Sequence, residues 1–233
     1  MKLTSIQLKI LILLISVLSI STVVYFFSAE DDVLPKMTVQ EKKARFKKLI
    51  IPAIDTVYEK LMTRYQQVSQ SIKSGNITDE IENLKVEYKA TNNEELLMAL
   101  KPHPKSIAIA QAAMESSWAT SRFFNEAYNI FGVWSFDKDE PRIAALQKRG
   151  DKTIWVKKYS SVKASVSDYY RTLARGRAFK EFRQLKLQTD DPFELVKKLD
   201  RYSEKGAEYG DELTAIIKFN KFNAHDSKII TTH

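Results

Sequence analysis

Apolar positions recur at three- and four-residue spacing through much of this chain, and that rhythm predicts helices. Phe46, Leu49, Ile50, Ile54, Val57, Tyr58, Leu61 and Met62 mark one face of a long helix opening at Thr38 and Glu41, a capping-box pair, and running to about residue 73. Pro52 falls inside that stretch and should kink or divide it. Ser74-Gly75-Asn76 stops it. Further helices are predicted at about 79–89, from Thr91 to about Leu100, and from Pro104 to Glu115. A short one follows at 121–128. The pattern then changes: Thr153–Tyr159 alternates like a strand, with Ile143–Leu146 as its partner across a turn at Lys148–Asp151. Helical spacing resumes at about 161–175, 177–187, 192–200 and 211–220. The fold class expected is mainly α (α+β), with one small β-hairpin.

The first thirty residues follow a different pattern. Lys2 and Lys9 precede an apolar run from Ile10 to Phe27, broken only by serines and a threonine. At a rise of about 1.5 Å per residue it spans roughly 27 Å, close to the hydrocarbon core of a bilayer. This predicts a membrane anchor with residues 1–9 in the cytoplasm, followed by a linker at 28–37. A cleaved signal segment is the alternative, but Phe27 would sit at a position of the cleavage site that favours small residues. Either way the remainder is exported, as a single-pass inner-membrane protein or a soluble periplasmic one. The body then reads as a helical region at 38–100, a domain at 101–222 and a tail at 223–233.

Composition narrows the chemistry. The 233 residues contain no cysteine and three scattered histidines, so neither a disulfide framework nor a zinc cluster is expected. No cofactor is implied. The formal net charge of +8 suits a polyanionic neighbour or a solubilising surface. Nucleic acid is disfavoured, because the chain is exported and lacks an aromatic–basic RNA motif.

One acid stands apart. Residues 104–114 are almost entirely apolar or small, and they end at Glu115, with Trp118 just beyond. Burial disfavours the charged form of a carboxyl group, so Glu115 is a candidate proton donor near neutral pH. Its bland alternatives are a surface glutamate at a helix end or a salt-bridge partner of Arg122. An acid at the end of a buried helix beside a small β-lobe is the layout of a lysozyme-like cleft.

The run QAAMESSWATSRFFNEAYNIFG (111–132) resembles the signature of the bacterial glucosaminidases of glycoside hydrolase family 73, commonly Gln-Ala-Ala-Leu-Glu-Ser-Gly-Trp-Gly followed by Asn-x-Phe-Gly. GVWSFDKDEPRIAAL and TLARGRAFKEFR are similar to the Bax subfamily of that family. The resemblance covers roughly residues 100–222. It implies a lysozyme-like domain that hydrolyses the β-1,4 bond after N-acetylglucosamine in peptidoglycan glycan strands, with Glu115 as general acid. Ser117 and Ala119 stand where glycine is usual.

Glycosidases commonly use two carboxyl groups. The second acid of relatives often lies in a Thr-Thr-Glu strand, where this chain has Thr153-Ile154-Trp155. Glu140, just before Pro141, is the preferred substitute, with Asp137, Asp139 and Asp151 as alternatives. A substrate-assisted mechanism, using the sugar's own acetamido group, is also open. Trp118, Tyr128 and Trp134 are candidate sugar platforms, and Phe131 is a candidate core residue. Asn129 could bind an acetamido group or cap a helix. The segment RYSEKGAEYGDEL (201–213) resembles the family's late tyrosine segment, which implies a substrate-binding role for Tyr202 and a structural one for Tyr209. A lytic transglycosylase is the competing enzyme reading, and a peptidoglycan-binding module without turnover is the competing non-enzyme reading.

Overall fold

The computed structural model describes residues 37–149 and 152–226. The apolar segment 10–27, nearly all of the 28–37 linker, and Asp151 therefore lie outside the described residues. Among the described residues no helix is long and apolar enough to cross a membrane. By internal contact the chain divides into residues 1–40 and 41–233.

The first helix, α1, runs unbroken from Val39 to Lys73 with Pro52 inside it. The expected division at Pro52 does not occur. Proline removes the hydrogen bond to the carbonyl of Lys48, but Pro52 lies on the exposed face, where water can serve that carbonyl. The buried face carries Phe46, Ile50, Ile54 and Val57, spaced as the sequence pattern requires. α2 (Asp79–Tyr88) is capped by the Thr78 side chain, and α3 (Asn93–Leu100) by that of Asn92. Thr91, the expected start of α3, instead gives its N–H and its hydroxyl to the Glu95 carboxylate. Ile81, Leu84, Leu96, Leu100 and Val68 form a satellite core where these helices meet.

The main core is built around α4 (Lys105–Glu115). Ser106 through Ala113 are all buried, and Ile107 and Ile109 have no exposed surface. Burying each such isoleucine stabilises the fold by about 1.5–3 kcal/mol. Packed in the same core are the first half of α1, α6 (Val162–Arg175) and α9 (Ala207–Asn220). Residues 41–57, placed by the sequence in a separate N-terminal region, thus share the core of the 101–222 domain.

Between α4 and α6 lie the short α5 (Arg122–Ala127) and a two-stranded antiparallel sheet. Its strands are β1 (Arg142–Arg149) and β2 (Lys152–Lys157), paired Arg142 to Lys157 at the open end and Arg149 to Lys152 at the turn. Trp134 adds a bridge to Val156, so residues 133–135 run along the outer edge of β2. The late region is more broken than its hydrophobic rhythm suggests. α7 (Lys180–Gln188) follows a 3-10 turn, and α8 (Pro192–Leu195) gives way to another at Val196–Lys198. The fold is mainly helical with one small hairpin, as a lysozyme-like domain requires.

Candidate active site

Gln111 and Glu115 lie four residues apart on α4 and therefore project from the same side of the helix. α9 places Tyr209 across from both. On its other side α9 packs tightly on the Val196–Lys198 turn, where a Cβ added at Gly210 would stand 2.9 Å from the Val196 carbonyl oxygen. The Tyr209 hydroxyl donates to Glu115 Oε1 at 2.9 Å and accepts from Gln111 Nε2 at 2.8 Å. The Tyr169 hydroxyl donates to Gln111 Oε1, extending the chain one further step into the core. Four side chains from three helices thus form one continuous hydrogen-bonded line ending on the acid.

That line sets the electrostatics. Burial raises the Glu115 carboxyl above its ordinary range; the Tyr209 hydrogen bond and Lys205 pull it down more weakly, and Glu212 raises it slightly. Lys205 is itself engaged by the Glu212 carboxylate at 2.6 Å. Arg122, the cation that could have neutralised Glu115, pairs instead with Glu126 at 2.8 Å and donates to the Ala144 carbonyl. The salt-bridge alternative for Glu115 is therefore not what the structure contains. Burial, and after it the charge of Glu115, also drives the Tyr209 and Tyr202 hydroxyls upward, so both stay protonated donors.

Glu115 lies at the wall of an open groove of about 500 Å³. Gly132 borders it with φ +64°, and an added Cβ there would sit 4.0 Å from Glu115 Oε2. The opposite lip is apolar: Trp134 from the outer edge, Leu146 from β1 and Ile154 from β2. Trp134 is 42 % exposed and Leu146 85 % exposed. A desolvated carboxylic acid facing an exposed aromatic lip can protonate a glycosidic oxygen while a sugar ring stacks on the indole.

The remaining sequence-derived candidates separate. Tyr202 stacks on Tyr209 with ring centroids 5.5 Å apart, and its hydroxyl donates to the Phe131 carbonyl at 3.3 Å, so it backs Tyr209 behind the acid and is not among the residues that line the groove. Tyr128 ends α5 in a left-handed conformation and is 45 % exposed. Phe131 is core, stacked on Tyr169 at 3.9 Å.

Trp118 does not line the groove. Its ring packs edge-on against Phe46 at 5.3 Å, with Phe222 behind and the Lys43 ammonium above, so it anchors α1 rather than a sugar. Asn129 is corrected too: it is 1 % exposed and its amide is fully occupied. Nδ2 donates to the carbonyls of Val133 and Lys157, and Oδ1 accepts from the Val133 N–H. That fastens the outer edge and β2 together, leaving nothing for an acetamido group.

No alternative acid lines the groove among the described residues. Glu140 lies 3.5 Å from Lys157, which Asp168 shares at 3.2 Å, and Tyr159 donates to Asp168. Asp137 caps its own turn by accepting from the Asp139 N–H, and both aspartates are exposed. No group of acids and histidines among the described residues is arranged to hold a metal ion.

Gln111, Tyr169 and Tyr209 are the site residues that sequence reasoning did not assign to chemistry. The four-residue spacing of Gln111 and Glu115 was a usable signal. Tyr169 carried none, because a tyrosine on an apolar helix face reads as core.

The turn after α4 connects it to α5. Ser117, Trp118 and Ala119 take φ of +51°, +62° and +60° in succession. The left-handed region costs an L-residue roughly 1–2 kcal/mol. The turn is held by Ser116, whose hydroxyl donates to Ala112 O at 2.6 Å and accepts from the Ala119 N–H at 2.8 Å, and by the Trp118 N–H on Ala113 O.

The chain is 31 % identical to Protein bax of Escherichia coli strain K12 over 124 residues, which is 51 % of this chain and 43 % of that protein. The match thus spans less than half of that relative. Among solved structures it is similar to the catalytic domain of the autolysin Auto from Listeria monocytogenes, at 19 % identity and a TM-score of 0.44, covering 68 % of this chain and 96 % of that one. A peptidoglycan hydrolase from Sphingomonas sp. A1 matches at 19 % identity and a TM-score of 0.45, covering 60 % and 92 %. The sequence model described as mannosyl-glycoprotein endo-beta-N-acetylglucosaminidase matches residues 90–222, more than half of the chain, and the chain therefore belongs to this glucosaminidase family.

Proposed function

We propose that the chain is a peptidoglycan hydrolase that cleaves the β-1,4 bond following N-acetylglucosamine, with Glu115 as general acid. The observation that carries this reading is the burial of the Glu115 carboxyl, which raises its pKa, at the wall of a groove also lined by exposed tryptophan and leucine. Glu115 delivers its proton to the leaving glycosidic oxygen. The Tyr209 hydroxyl then donates to the carboxylate left behind, and Gln111 and Tyr169 fix that hydroxyl's orientation. Trp134 supplies a face for a sugar ring at the groove, and Tyr202 supports Tyr209 from behind.

The ion pair of Glu140 with Lys157, and its absence from the groove lining, favour a mechanism with one protein carboxylate. Two chemistries fit: attack by the substrate's own acetamido oxygen, or a lytic transglycosylase reaction closing an anhydro-muramyl ring. Mass spectrometry of muropeptides released from sacculi by residues 30–233 separates them. Reducing N-acetylglucosamine ends are expected, while anhydro-muramyl ends would replace the first chemistry by the second. Digestion by Glu115→Gln at the wild-type rate would sink both, and binding without turnover would leave a cell-wall binding module. The same proposal places the domain in the periplasm, tethered by residues 10–27, which protease accessibility in spheroplasts would check.

A further inference from the structure

The family model begins at residue 90, so α1 lies wholly outside it, yet α1 reaches the segment that follows the proposed acid. That segment closes the end of α4. Ser116, Trp118 and Ser117 donate their N–H groups to the carbonyls of Ala112, Ala113 and Met114, the last three before Glu115. The placement of Glu115 is therefore tied to a turn in which Ser117, Trp118 and Ala119 all hold positive φ. Backbone of this kind persists only where its surroundings over-determine it. α1 supplies contacts at two of the three positions. Phe46 packs its ring edge-on against Trp118 at 5.3 Å, and Arg45 Nη1 donates to the Ala119 carbonyl. The Arg45 guanidinium also lies 5.7 Å from the centroid of the Phe124 ring, so one side chain joins the end of the turn to α5.

Lys43 ties the same turn to α9. Its ammonium lies 4.7 Å from the ring centroids of both Trp118 and Phe219, and it donates to Asn220 Oδ1 at 2.8 Å. α9 is the helix that carries Tyr209, whose hydroxyl donates to Glu115. One short stretch of α1 thus braces both helices whose relative placement makes that hydrogen bond. Neither Lys43 nor Arg45 lines the groove, so each acts on the site through backbone geometry. Such geometry is steep in its consequences: a misplacement of about 1 Å in a reacting group costs about 100-fold in rate. Without the Arg45 donor the turn is free to leave the left-handed region that L-residues disfavour, and the last turn of α4 moves with it.

We propose that Arg45, assisted by Lys43, is a positioning residue for Glu115, which makes α1 part of the catalytic unit and not a spacer. The inference rests on the reading of Glu115 as general acid. The test uses the full chain purified in detergent, with initial rates on sacculi over a range of glycan concentrations at a temperature where every variant is folded. Arg45→Met keeps the aliphatic stem and removes the donor; kcat should fall by about 10–100-fold, with KM changed by less than about twofold. Arg45→Lys, which retains a donor, should recover most of the loss. Adding Ser117→Gly and Ala119→Gly to Arg45→Met should recover part of it, because glycine holds positive φ without the clamp. Val68→Ala, in the satellite core at the far end of α1, should lower Tm and leave kcat unchanged, which separates lost stability from lost positioning. The proposal is overturned if Arg45→Met keeps the wild-type kcat, if its loss appears in KM, if Val68→Ala loses kcat equally, or if neither lysine nor the glycine pair restores activity. Glu115→Gln distinguishes the two readings. Wild-type digestion by that variant removes the general acid and the proposal with it, whereas an inactive Glu115→Gln beside a fully active Arg45→Met removes only the role of α1.

Discussion

The floor and the lip of the Glu115 groove are built on opposite principles. On the floor, Gln111, Glu115, Tyr169 and Tyr209 come from three packed helices, and each polar group is tied to the next. On the lip, Trp134 and Leu146 expose apolar surface, and the nearby acids are solvated or neutralised by Lys157. A rigid, satisfied floor can hold a proton donor in one geometry, as proton transfer requires. An exposed apolar lip gains most by stacking on something else, as a sugar-binding surface does. Under the proposed function, chemistry and substrate contact fall to different parts of the site, and substitutions on each side should fail differently.

The largest effect is expected at the floor. Glu115→Gln should lower kcat on sacculi by about 10²–10⁴-fold, with binding of the glycan retained. The same change should reveal the cost of housing the acid. Because the folded carboxyl is raised above its unfolded value, its ionisation destabilises the fold at neutral pH, and this cost disappears once pH falls below the unfolded value. Glu115→Gln should therefore match or exceed the wild-type Tm at neutral pH, with the gap closing in acid. In wild type the catalytic rate should fall as pH rises through the Glu115 pKa. Tyr209→Phe should move that alkaline limb upward, since the lost hydrogen bond favoured the carboxylate. An unchanged limb would detach Tyr209 from the acid.

Asn129→Ala tests the joint between the two halves. It strands the Val133 N–H and frees two carbonyls, so denaturant unfolding should show a loss of roughly 2–3 kcal/mol. A stable variant with a raised KM would instead return Asn129 to the substrate. At the lip, Trp134→Ala should cost about tenfold in KM, or about 1.4 kcal/mol of stacking, with kcat little changed. A loss confined to kcat would erase the division of labour. The smallest effect lies at the hinge from floor to α5, where Ser117→Gly should stabilise the fold by about 1 kcal/mol, because glycine takes φ +51° without strain.

Much of this was legible from residues alone, and unevenly so. α1, α4 and the hairpin announced themselves because burial of one face imposes a period of 3.6 or 2 on the sequence. Pro52 did not divide α1 as one reading of it required, because it occupies the exposed face, where solvent can serve the carbonyl left without its bond. Trp118 and Asn129 misled for a related reason. Each stands near Glu115 in sequence, but the run of left-handed residues at 117–119 swings Trp118 onto Phe46, and Asn129 is claimed by Lys157, twenty-eight residues away.

The sequence by itself determined the helical class, the hairpin, the family signature and the acid, since each depends on short-range spacing or on the apolar character of a single helix. Only the tertiary structure decided what Glu115 touches, which aromatics reach the groove, and that Glu140 is spent on Lys157. Those outcomes depend on long-range contacts such as Glu115 with Tyr209, ninety-four residues apart. Hydrophobic periodicity reports which face of an element is buried, and it carries no record of the partner that buries it.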